Sequence, residues 1–408
     1  MASRYYLCGL DIGTSKIIVS LARVERNRIV GISTEESTNG CGFNKGMVSN
    51  LSLLTQVIRN LVNTLQKRMA CKVKGIYINF SSSHLNLRHS HAALLLSEKG
   101  NKIISSFDMK KVQDQAYKLG LRLEEYILHR IPLEYIVDEQ NKTKDPRGLW
   151  GHKLAVDLYL ISAHTRYIDN LIKAISGAGF EVEGIVFSGL ATAFALLSPR
   201  QKQGCILLDI GADLTEINLF RDGMLNQVAI LKMGGNDLTE VLVESLKVPF
   251  SLAEELKNSY ASVFTNQIKE DQEIIIKKDS SYKSLSRKAV CEALESKINS
   301  FIVSLKEVVV DSFKLPDPFY GIVACGRTVL LEGFLEKLES ELQIPVSLGN
   351  LKDVNPPSPS KSISYATSIG LILYGIESRQ KKKAISLSPT SLFSNIKNRI
   401  KEMYQDYF

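Results

Sequence analysis

A short apolar segment that ends in Asp-Ile-Gly occurs twice in the chain, and this repeat constrains the fold more than any other feature. The first copy spans residues 10–16 and contains Asp11, and the second spans residues 208–215 and contains Asp209. Apolar runs precede and follow each copy, a pattern typical of a strand, a tight turn and a second strand. A hairpin turn at 221–223 follows the second copy. The repeat therefore predicts two related halves.

These turns have the residue types that bind nucleotide phosphates. Glycine allows several backbone N–H groups to point at one spot, which forms a nest for phosphate oxygens. An aspartate just before the nest can hold the waters of a Mg²⁺ ion, because Mg²⁺ keeps most of its hydration shell. One Asp-Ile-Gly is a weak signal, since any hairpin can carry it. Two in related settings predict a cleft that holds a nucleoside triphosphate from both sides.

Hydrophobic periodicity predicts alternating helices and strands through the rest of the chain. Helices are predicted at residues 51–67, 108–119, 165–176, 188–197, 238–246, 290–313, 329–342 and 365–375. Further strands are predicted at residues 28–32, 75–80, 85–88, 126–131, 135–137, 153–161, 180–185 and 319–325. The polar, lysine-rich residues 257–286 are predicted to form a helix and a variable loop, and residues 355–359 a loop.

The positive charge is concentrated at the end of the chain. The 408 residues have a formal net charge of +8, and residues 377–408 carry about half of it. This distribution favours a local anionic surface as partner over nucleic acid. The six cysteines are scattered without a Cys-x-x-Cys pair, there is no secretory segment, and no apolar run reaches the ~18 residues of a membrane span. We therefore expect a reduced, cytosolic protein without structural zinc or disulfides.

Segments spread over nearly the whole chain carry a resemblance to a known family. Besides the two turns they are residues 130–135, 187–191, 253–257, 321–326, 331–333 and 365–371, followed by an amphipathic tail. The paired turns resemble those of the actin, Hsp70 and sugar-kinase superfamily, and the segments resemble its bacterial cell-division family, FtsA. The match is specific to FtsA rather than to the superfamily alone.

The resemblance implies an α/β, actin-like fold with two RNase-H-like halves around a nucleotide cleft, an inserted small subdomain of the 1C type and a C-terminal amphipathic helix. The expected boundaries are 1–83 and 162–200 for the first half (1A), 84–161 for the inserted subdomain (1C), 201–236 and 314–376 for the second half (2A), 237–313 for the outer subdomain (2B), 377–390 for a flexible linker and 391–408 for the amphipathic helix.

The candidate cofactor is ATP with Mg²⁺, and the candidate residues come from both halves. The expected binding residues are Asp11, Gly13, Thr14, Ser15, Lys16, Asp209, Gly211, Ala212, Thr215, Gly234, Gly235, Glu254, Lys257, Gly326 and Arg327, with Asp11 and Asp209 holding the metal. For several of these residues, an interpretation without a role in binding stays open. Lys16 could be a solvated lysine at a strand start, the glycine pair a plain helix entry, and Glu254 with Lys257 a surface ion pair.

The chain departs from the family pattern at three places. Family members usually have Gly-Gly-Gly-Thr after the second Asp-Ile, where this chain has residues 211–214, Gly-Ala-Asp-Leu. The adenosine turn, usually Gly-Gly, is Cys-Gly-Arg at residues 325–327, and Arg327 could stack on adenine or obstruct it. Residues 187–190, at the start of the crossing helix, contain no Glu or Gln to orient water. We expect ATP binding with slow or absent hydrolysis, so the question of enzymatic activity stays open.

Three histidines lie close together in the inserted segment, at positions 84, 89 and 91. His89 and His91 alternate on one strand face without a carboxylate or cysteine beside them, so solvated strand histidines are favoured over a metal site.

The pattern of apolar residues predicts an amphipathic helix over residues 391–408. Ser391 is a suitable N-cap, and Tyr407 extends the apolar stripe. The expected membrane-contacting residues are Leu392, Phe393, Ile396, Lys397, Ile400, Lys401, Met403 and Tyr404. An apolar stripe with a basic flank is the pattern of an interfacial membrane anchor. The alternative is a helix that docks on protein.

The resemblance implies an ATP-binding, actin-like cell-division protein that self-associates as a protofilament and tethers the FtsZ ring to the inner face of the membrane. Its implied partners are the C-terminal tail of FtsZ, bound on the outer subdomain, anionic lipids and later division proteins, and its implied location is the septum. The alternatives are a sugar-kinase-like enzyme, which needs a catalytic Asp between the lobes, and an actin-like pilus-assembly protein, which should lack the tail helix.

Overall fold

The computed structural model describes residues 4–38, 41–97, 100–270, 272–278, 281–352, 354 and 359–386. The predicted amphipathic helix 391–408, with its membrane-contacting residues, lies outside the described residues, as do residues 387–390 of the predicted linker and most of the predicted loop 355–359.

The helices and strands follow one another in three groups. The first contains β1 (Tyr5–Ile12), β2 (Lys16–Glu25), β3 (Arg28–Thr38), β4 (Phe43–Asn44), β5 (Met47–Val48), α1 (Leu51–Arg68) and β6 (Gly75–Phe80). The second contains β7 (Asn86–Leu95), β8 (Lys102–Ile103), α2 (Ser106–Gly120), β9 (Glu125–Val137), β10 (Asn141–Thr143), β11 (Trp150–Gly151), β12 (Lys153–His164), α3 (Thr165–Ala178), β13 (Glu181–Phe187) and α4 (Ser188–Leu196). The third contains β14 (Gly204–Ile210), β15 (Thr215–Arg221), β16 (Met224–Leu231), α5 (Gly235–Leu246), α6 (Phe250–Tyr260), β17 (Glu273–Lys278), β18 (Ser281–Ser286), α7 (Arg287–Lys306), β19 (Ile322–Cys325), α8 (Phe334–Leu342), β20 (Val346–Leu348) and α9 (Ala366–Ser386).

Two five-stranded sheets of the same topology form the two halves. Their strand orders are β13-β6-β1-β2-β3 and β16-β15-β14-β19-β20. In each sheet an antiparallel meander of three strands is extended by two parallel strands. The predicted pair of related halves is confirmed, because the two Asp-Ile-Gly turns occupy the same place in both sheets.

The inserted subdomain is a separate four-stranded antiparallel sheet, β10-β9-β12-β7, covered by α2. Its own core includes Val112, Tyr135 and Leu158. Ser105 and Asp108 form a capping box at the start of α2, which fixes where this helix begins. The predicted break between strands 126–131 and 135–137 is wrong: β9 is continuous, and the residue pairing with β12 shifts where Pro132 stands. A bulge accommodates a residue that has no N–H to donate.

Two further predictions of secondary structure need correction in the outer subdomain. Residues 273–286 form the hairpin β17–β18 instead of a helix and loop. Ile274 and Ile276 are buried while Ile275 is 75% exposed, the period of two expected of a strand. The long helix predicted at 290–313 ends at Lys306, and a short π-helical turn, Glu307–Ser312, follows.

The helices α4 and α9 pack against each other between the two halves. A Cβ at Gly370 would overlap the carbonyl oxygen of Ala191, so only glycine permits this approach. The apolar residues of α9 also pack under the first sheet, with Leu371, Ile372 and Ile376 in one buried cluster with residues of β1, β2 and β6. The first sheet, α4 and α9 therefore share a core.

Helix α9 continues to Ser386, so the predicted flexible linker 377–390 is wrong for residues 377–386. Arg379 Nη2 donates to both carboxylate oxygens of Glu183 in β13, at 2.9 and 3.0 Å. Its guanidinium also lies over the Tyr5 ring, 5.1 Å from the centroid. These contacts hold the extension against the first half.

Candidate nucleotide cleft

The two Asp-Ile-Gly turns have the same hydrogen bond. Gly13 N–H donates to the carbonyl of Lys16 at 3.0 Å, and Gly211 N–H donates to the carbonyl of Leu214 at 2.9 Å. Because these glycine N–H groups close the turns, the N–H groups that remain free to bind a phosphate belong to the residues that follow them.

The turns face an open cleft between the halves. Thirteen of the predicted binding residues line it, namely Asp11, Gly13, Thr14, Ser15, Lys16, Asp209, Gly211, Ala212, Gly235, Glu254, Lys257, Gly326 and Arg327. The structure therefore brings together residues separated by more than three hundred positions in the chain.

Thr215 and Gly234 are not among the residues that line the cleft. The Thr215 hydroxyl is buried and donates to the Met233 carbonyl at 2.8 Å. A Cβ at Gly234 would lie 2.5 Å from the Ala212 carbonyl oxygen. The next N–H along, that of Gly235, donates to the Gly211 carbonyl at 2.9 Å. Both predicted residues therefore stabilise the second turn by contacts with the protein and do not face the cleft.

Asp11 and Asp209 both line the cleft, and their carboxylates repel each other. Burial raises the pKa of Asp11 to about 7; the Lys16 ammonium works against this shift, and the Asp209 carboxylate adds to it. Burial likewise raises the pKa of Asp209, while the Cys325 thiol and the Lys16 ammonium lower it. Burial lowers the pKa of Lys16, and Asp11 opposes that shift. A cation between the two carboxylates would relieve their repulsion.

This donor set fits a Mg²⁺ ion that keeps most of its waters and takes its other ligands from phosphates. Among the residues that the structure describes, no group of three or more His, Cys, Asp or Glu side chains is arranged to hold a metal ion.

Asn79, which the sequence analysis missed, positions Asp11. Its amide nitrogen donates to Asp11 Oδ1 at 2.7 Å and to Ser188 Oγ at 3.1 Å, and its amide oxygen accepts from Ile12 N–H at 2.7 Å. Asn79 thereby joins β6, the first turn and the start of α4. A polar residue near the end of an otherwise apolar strand was the signal for it.

The three hydrogen-bond donors of the Lys257 ammonium are all used by other groups of the protein. Only 3% of it is exposed, and Nζ donates to Glu254 Oε2 at 2.6 Å, to Thr239 Oγ1 at 2.7 Å and to the Gly235 carbonyl at 2.8 Å. An ammonium has three donors, so the protein uses all three donors of Lys257, and the ion pair with Glu254 is buried instead of lying on the surface. Contact of Lys257 with the ribose or base stays a prediction. Glu254 and Arg327 remain at the cleft wall, 3.8 Å apart.

The departure from the family pattern at residues 211–214 places a further acidic group in the cleft. Asp213 Oδ1 accepts from the Asn236 amide at 2.7 Å. Its other oxygen, Oδ2, is buried without a hydrogen-bond partner in the described part of the chain. A carboxylate here repels phosphates unless a cation lies between them.

Glu216 is the most important residue that the sequence analysis missed. It lines the cleft, is 6% exposed and lies directly opposite Asp209 across β14 and β15. Burial raises its pKa to about 8 and the Asp209 carboxylate adds to the shift, while the Ser81 hydroxyl and the Gly189 N–H oppose it. Residues 187–190 lack a carboxylate, as predicted from the sequence, but Glu216 brings one to the same place from another strand. The signal was its position, seven residues after Asp209.

The histidines do not form a metal site within the described residues. His89 Nδ1 lies 3.0 Å from Asp157 Oδ1, so the sequence-based statement that no carboxylate adjoins these histidines is wrong. Asp157 comes from the neighbouring strand β12, which adjacency in sequence does not show.

No helix among the described residues is long and apolar enough to cross a membrane.

Two mixed sheets of one topology, paired turns and a cleft between them define an actin-like protein. The solved structures with this fold include the PilM–PilN type IV pilus biogenesis complex, with a TM-score of 0.65 and 18% identity over 92% of this chain and 99% of that chain. They also include MreB5 of Spiroplasma citri bound to AMPPNP, with a TM-score of 0.51 and 12% identity over 94% of this chain and 99% of that chain. At these identities the likeness shows the fold alone.

Family comparisons narrow the class further. The family described as cell division protein FtsA matches residues 206–370, and the SHS2 domain inserted in FtsA matches residues 82–162. The cell division protein FtsA of Pseudomonas aeruginosa is 27% identical over 98% of both chains, and that of Escherichia coli K12 is 24% identical over 93% of both. That of Borreliella burgdorferi is 26% identical over 100% of this chain and 98% of its own. The chain belongs to the FtsA family of cell division proteins.

Proposed function

We propose that the protein binds Mg²⁺–ATP in the cleft and acts in division as a polymerising adaptor between the FtsZ ring and the cytoplasmic membrane face. The observation that carries the ATP proposal is the pair of identically hydrogen-bonded turns facing one cleft, each preceded by a half-buried aspartate. The related fold of MreB5, solved with ADP and with AMPPNP, supports it.

The residues of the cleft have separate parts in this binding. Asp11 and Asp209 would hold the metal, which neutralises phosphate charge when bound, and Lys16 adds a positive charge beside them. The nests of residues 14–15 and 212–213 would receive phosphate oxygens. A bound metal would also make Asp213 compatible with phosphates, because a cation reduces the repulsion between them and that carboxylate.

Calorimetry with full-length protein tests this site. Asp209→Ala should weaken Mg²⁺–ATP binding about tenfold or more, which corresponds to a loss of about 1.4 kcal/mol. Asp169→Ala, on the exposed face of α3, is the matched control and should bind like wild type. Wild-type protein that binds no ATP, or an Asp209→Ala variant that binds it equally well, would contradict the site.

The tail supports peripheral binding to anionic lipid. Burial of Phe393, Ile396 and Ile400 at the lipid boundary contributes up to about 1.5–3 kcal/mol for each side chain. Each nearby Lys or Arg adds up to about 1 kcal/mol, which salt screens. The apolar contribution should therefore dominate, and one short helix should bind reversibly until polymerisation presents many tails together.

Co-sedimentation with anionic vesicles tests the tail. Ile400→Glu should release the protein more completely than Lys397→Ala, and only the latter effect should diminish as salt increases. Equal sedimentation of wild type and Ile400→Glu would show that the tail docks on protein.

The inserted subdomain supports self-association. Five large apolar side chains are exposed in neighbouring segments of it; this apolar patch consists of Leu95, Ile103, Phe107, Leu149 and Trp150. Backbone pairing brings the segments together, since Trp150 lies opposite Ile103 and Ile104 N–H donates to the Leu149 carbonyl. Exposed apolar patches mark interaction sites, and a contact between different faces of identical chains generates filaments.

Electron microscopy on lipid monolayers tests this surface. Trp150→Glu should remove filaments while ATP binding stays. Leu123→Glu, an equally drastic change at an exposed position of the same subdomain, should leave them. Filaments formed equally by the Trp150→Glu variant would refute the role of the patch.

For the FtsZ tail, the outer subdomain offers exposed apolar side chains on β17–β18 and α7, namely Ile275, Tyr282 and Val303. Fluorescence anisotropy with a labelled FtsZ tail peptide should show weaker binding by Ile275→Asp than by wild type. Unchanged affinity would place the peptide elsewhere.

A further inference from the structure

Glu216 is a buried carboxylate that the turn geometry does not require. The register of β14 and β15 places it opposite Asp209, and the register of β1 and β2 places Ile18 opposite Asp11. Ile18 is fully buried and apolar. The same turn therefore forms with an isoleucine at this position. In the second copy, burial of a carboxylate there has an unfavourable free energy that the turn itself does not require.

Two buried oxygen atoms here have no hydrogen-bond partner in the described ranges, namely Glu216 Oε2 and Asn218 Oδ1. Buried polar atoms are nearly always hydrogen-bonded in folded proteins, so each unpartnered one needs an explanation. Ser81 and Glu216 both line the cleft. A carboxylate oxygen and a hydroxyl that share a polar site are suitable partners for one water molecule.

This site lies where the two halves meet. Glu216 belongs to the second half, and the groups beside it, the Ser81 hydroxyl and the Gly189 N–H, belong to the first. A Cβ on Gly189 would overlap the Asn218 amide, so β15 and the first turn of α4 are in close contact. Helix α4 has no side-chain cap of its own, and its N-terminus favours a negative group. The carboxylate is therefore held where the two halves meet, with groups of both halves beside it.

We propose that Glu216 binds and orients the water molecule that attacks the γ-phosphate of ATP, an inference that rests on the proposed nucleotide function. In this step the water oxygen forms a bond to the γ-phosphorus, and the bond from that phosphorus to the β–γ bridging oxygen breaks. The bridging oxygen leaves with the electron pair on ADP, and one proton of the water passes to the Glu216 carboxylate and then to solvent. The protein is thereby an ATPase whose catalytic residue is Glu216.

Single-turnover hydrolysis with enzyme in excess, followed by phosphate release, tests the proposal on full-length protein. Glu216→Gln keeps the size and the acceptor for the Gly189 N–H but cannot accept a proton from the water. It should slow hydrolysis about 100-fold or more, while the Kd for ATP changes less than about threefold. Glu216→Asp keeps a carboxylate that can accept the proton and should lose less activity than Glu216→Gln. Glu240→Gln, on an exposed face of α5, is the control and should hydrolyse ATP like wild type.

The outcomes separate this inference from the nucleotide proposal. ATP binding with equal hydrolysis by wild type and Glu216→Gln overturns the role of Glu216 and leaves the ATP site intact. ATP binding without hydrolysis by wild type also overturns it. Absence of ATP binding by wild type overturns both. Circular dichroism and retained ATP binding show that the Glu216→Gln variant is folded, so a selective loss of hydrolysis supports the inference.

Discussion

His129 should make the stability of the protein fall between neutral pH and pH 5. Its ring is buried where the inserted subdomain meets the first half, and Nε2 accepts a hydrogen bond from Phe187 N–H at 2.9 Å. Burial lowers the pKa of His129 from 6.5 to about 4. The ring must therefore stay neutral in the folded state, and its charged form can neither accept this hydrogen bond nor be solvated.

The sign and size of the effect follow from linkage. A histidine whose folded pKa is depressed contributes full stability above the unfolded pKa, and this stability is lost as the pH falls towards the folded pKa. With values of 6.5 and about 4, the loss between pH 7 and pH 5 is about 2 kcal/mol. The window of the effect is therefore about pH 6.5 to 4.

Urea unfolding at a series of pH values tests this argument. His129→Gln keeps an acceptor for the Phe187 N–H and cannot gain a proton, so its free energy of unfolding should fall about 2 kcal/mol less than that of wild type between pH 7 and 5. His91→Gln, at an exposed strand position, should follow wild type. Equal pH dependence of wild type and His129→Gln would refute the reasoning.

Three packing arguments predict changes in the free energy of unfolding measured by urea denaturation. Gly370→Val should destabilise the protein by about 3 kcal/mol, because its Cβ would overlap a carbonyl of α4; an effect below 1 kcal/mol would show that the two helices separate easily. Lys257→Met should cost about 3 kcal/mol because it leaves Glu254 without its buried partner, and adding Glu254→Gln should recover part of the loss; no recovery would indicate a purely steric cost. Ile274→Asp should cost about 2–4 kcal/mol and Ile275→Asp less than about 0.5 kcal/mol; similar costs would contradict the hairpin register.

Sequence patterns predicted those parts of the site whose structure depends on residues that are close together in the chain. The two Asp-Ile-Gly turns were predictable, because each is a hairpin whose hydrogen bond spans four residues. The contribution of Asn79 to the first turn comes from a residue more than sixty positions away, so no local pattern reports it. The position of Glu216 could have been predicted from the sequence, because a hairpin that turns after Ile210 pairs it with Asp209. Its contact with Gly189 depends on how the halves pack, which composition and periodicity do not contain.

Lys257 shows a different limit. Its helical spacing from Glu254 correctly indicated that the two side chains meet, as their distance of 2.6 Å confirms. The spacing could not say that Thr239 and the Gly235 carbonyl would take the remaining donors, because both lie on α5. Whether a charged side chain serves a ligand or the protein depends on how many of its donors the tertiary structure already uses.

The corrected end of α9 changes how the cleft and the tail are connected. Thr367, in the first turn of α9, lines the cleft and lies within hydrogen-bond distance of Thr192 of α4, at 2.9 Å. Arg379, about 18 Å further along the helix at ~1.5 Å per residue, pairs with Glu183 on the first sheet. A tail that followed a flexible segment from residue 377 would have no fixed position relative to the cleft. Because the helix continues past Arg379 and is held there, the segment that precedes the tail starts from a defined point on the first half, joined to the cleft by a single rigid element.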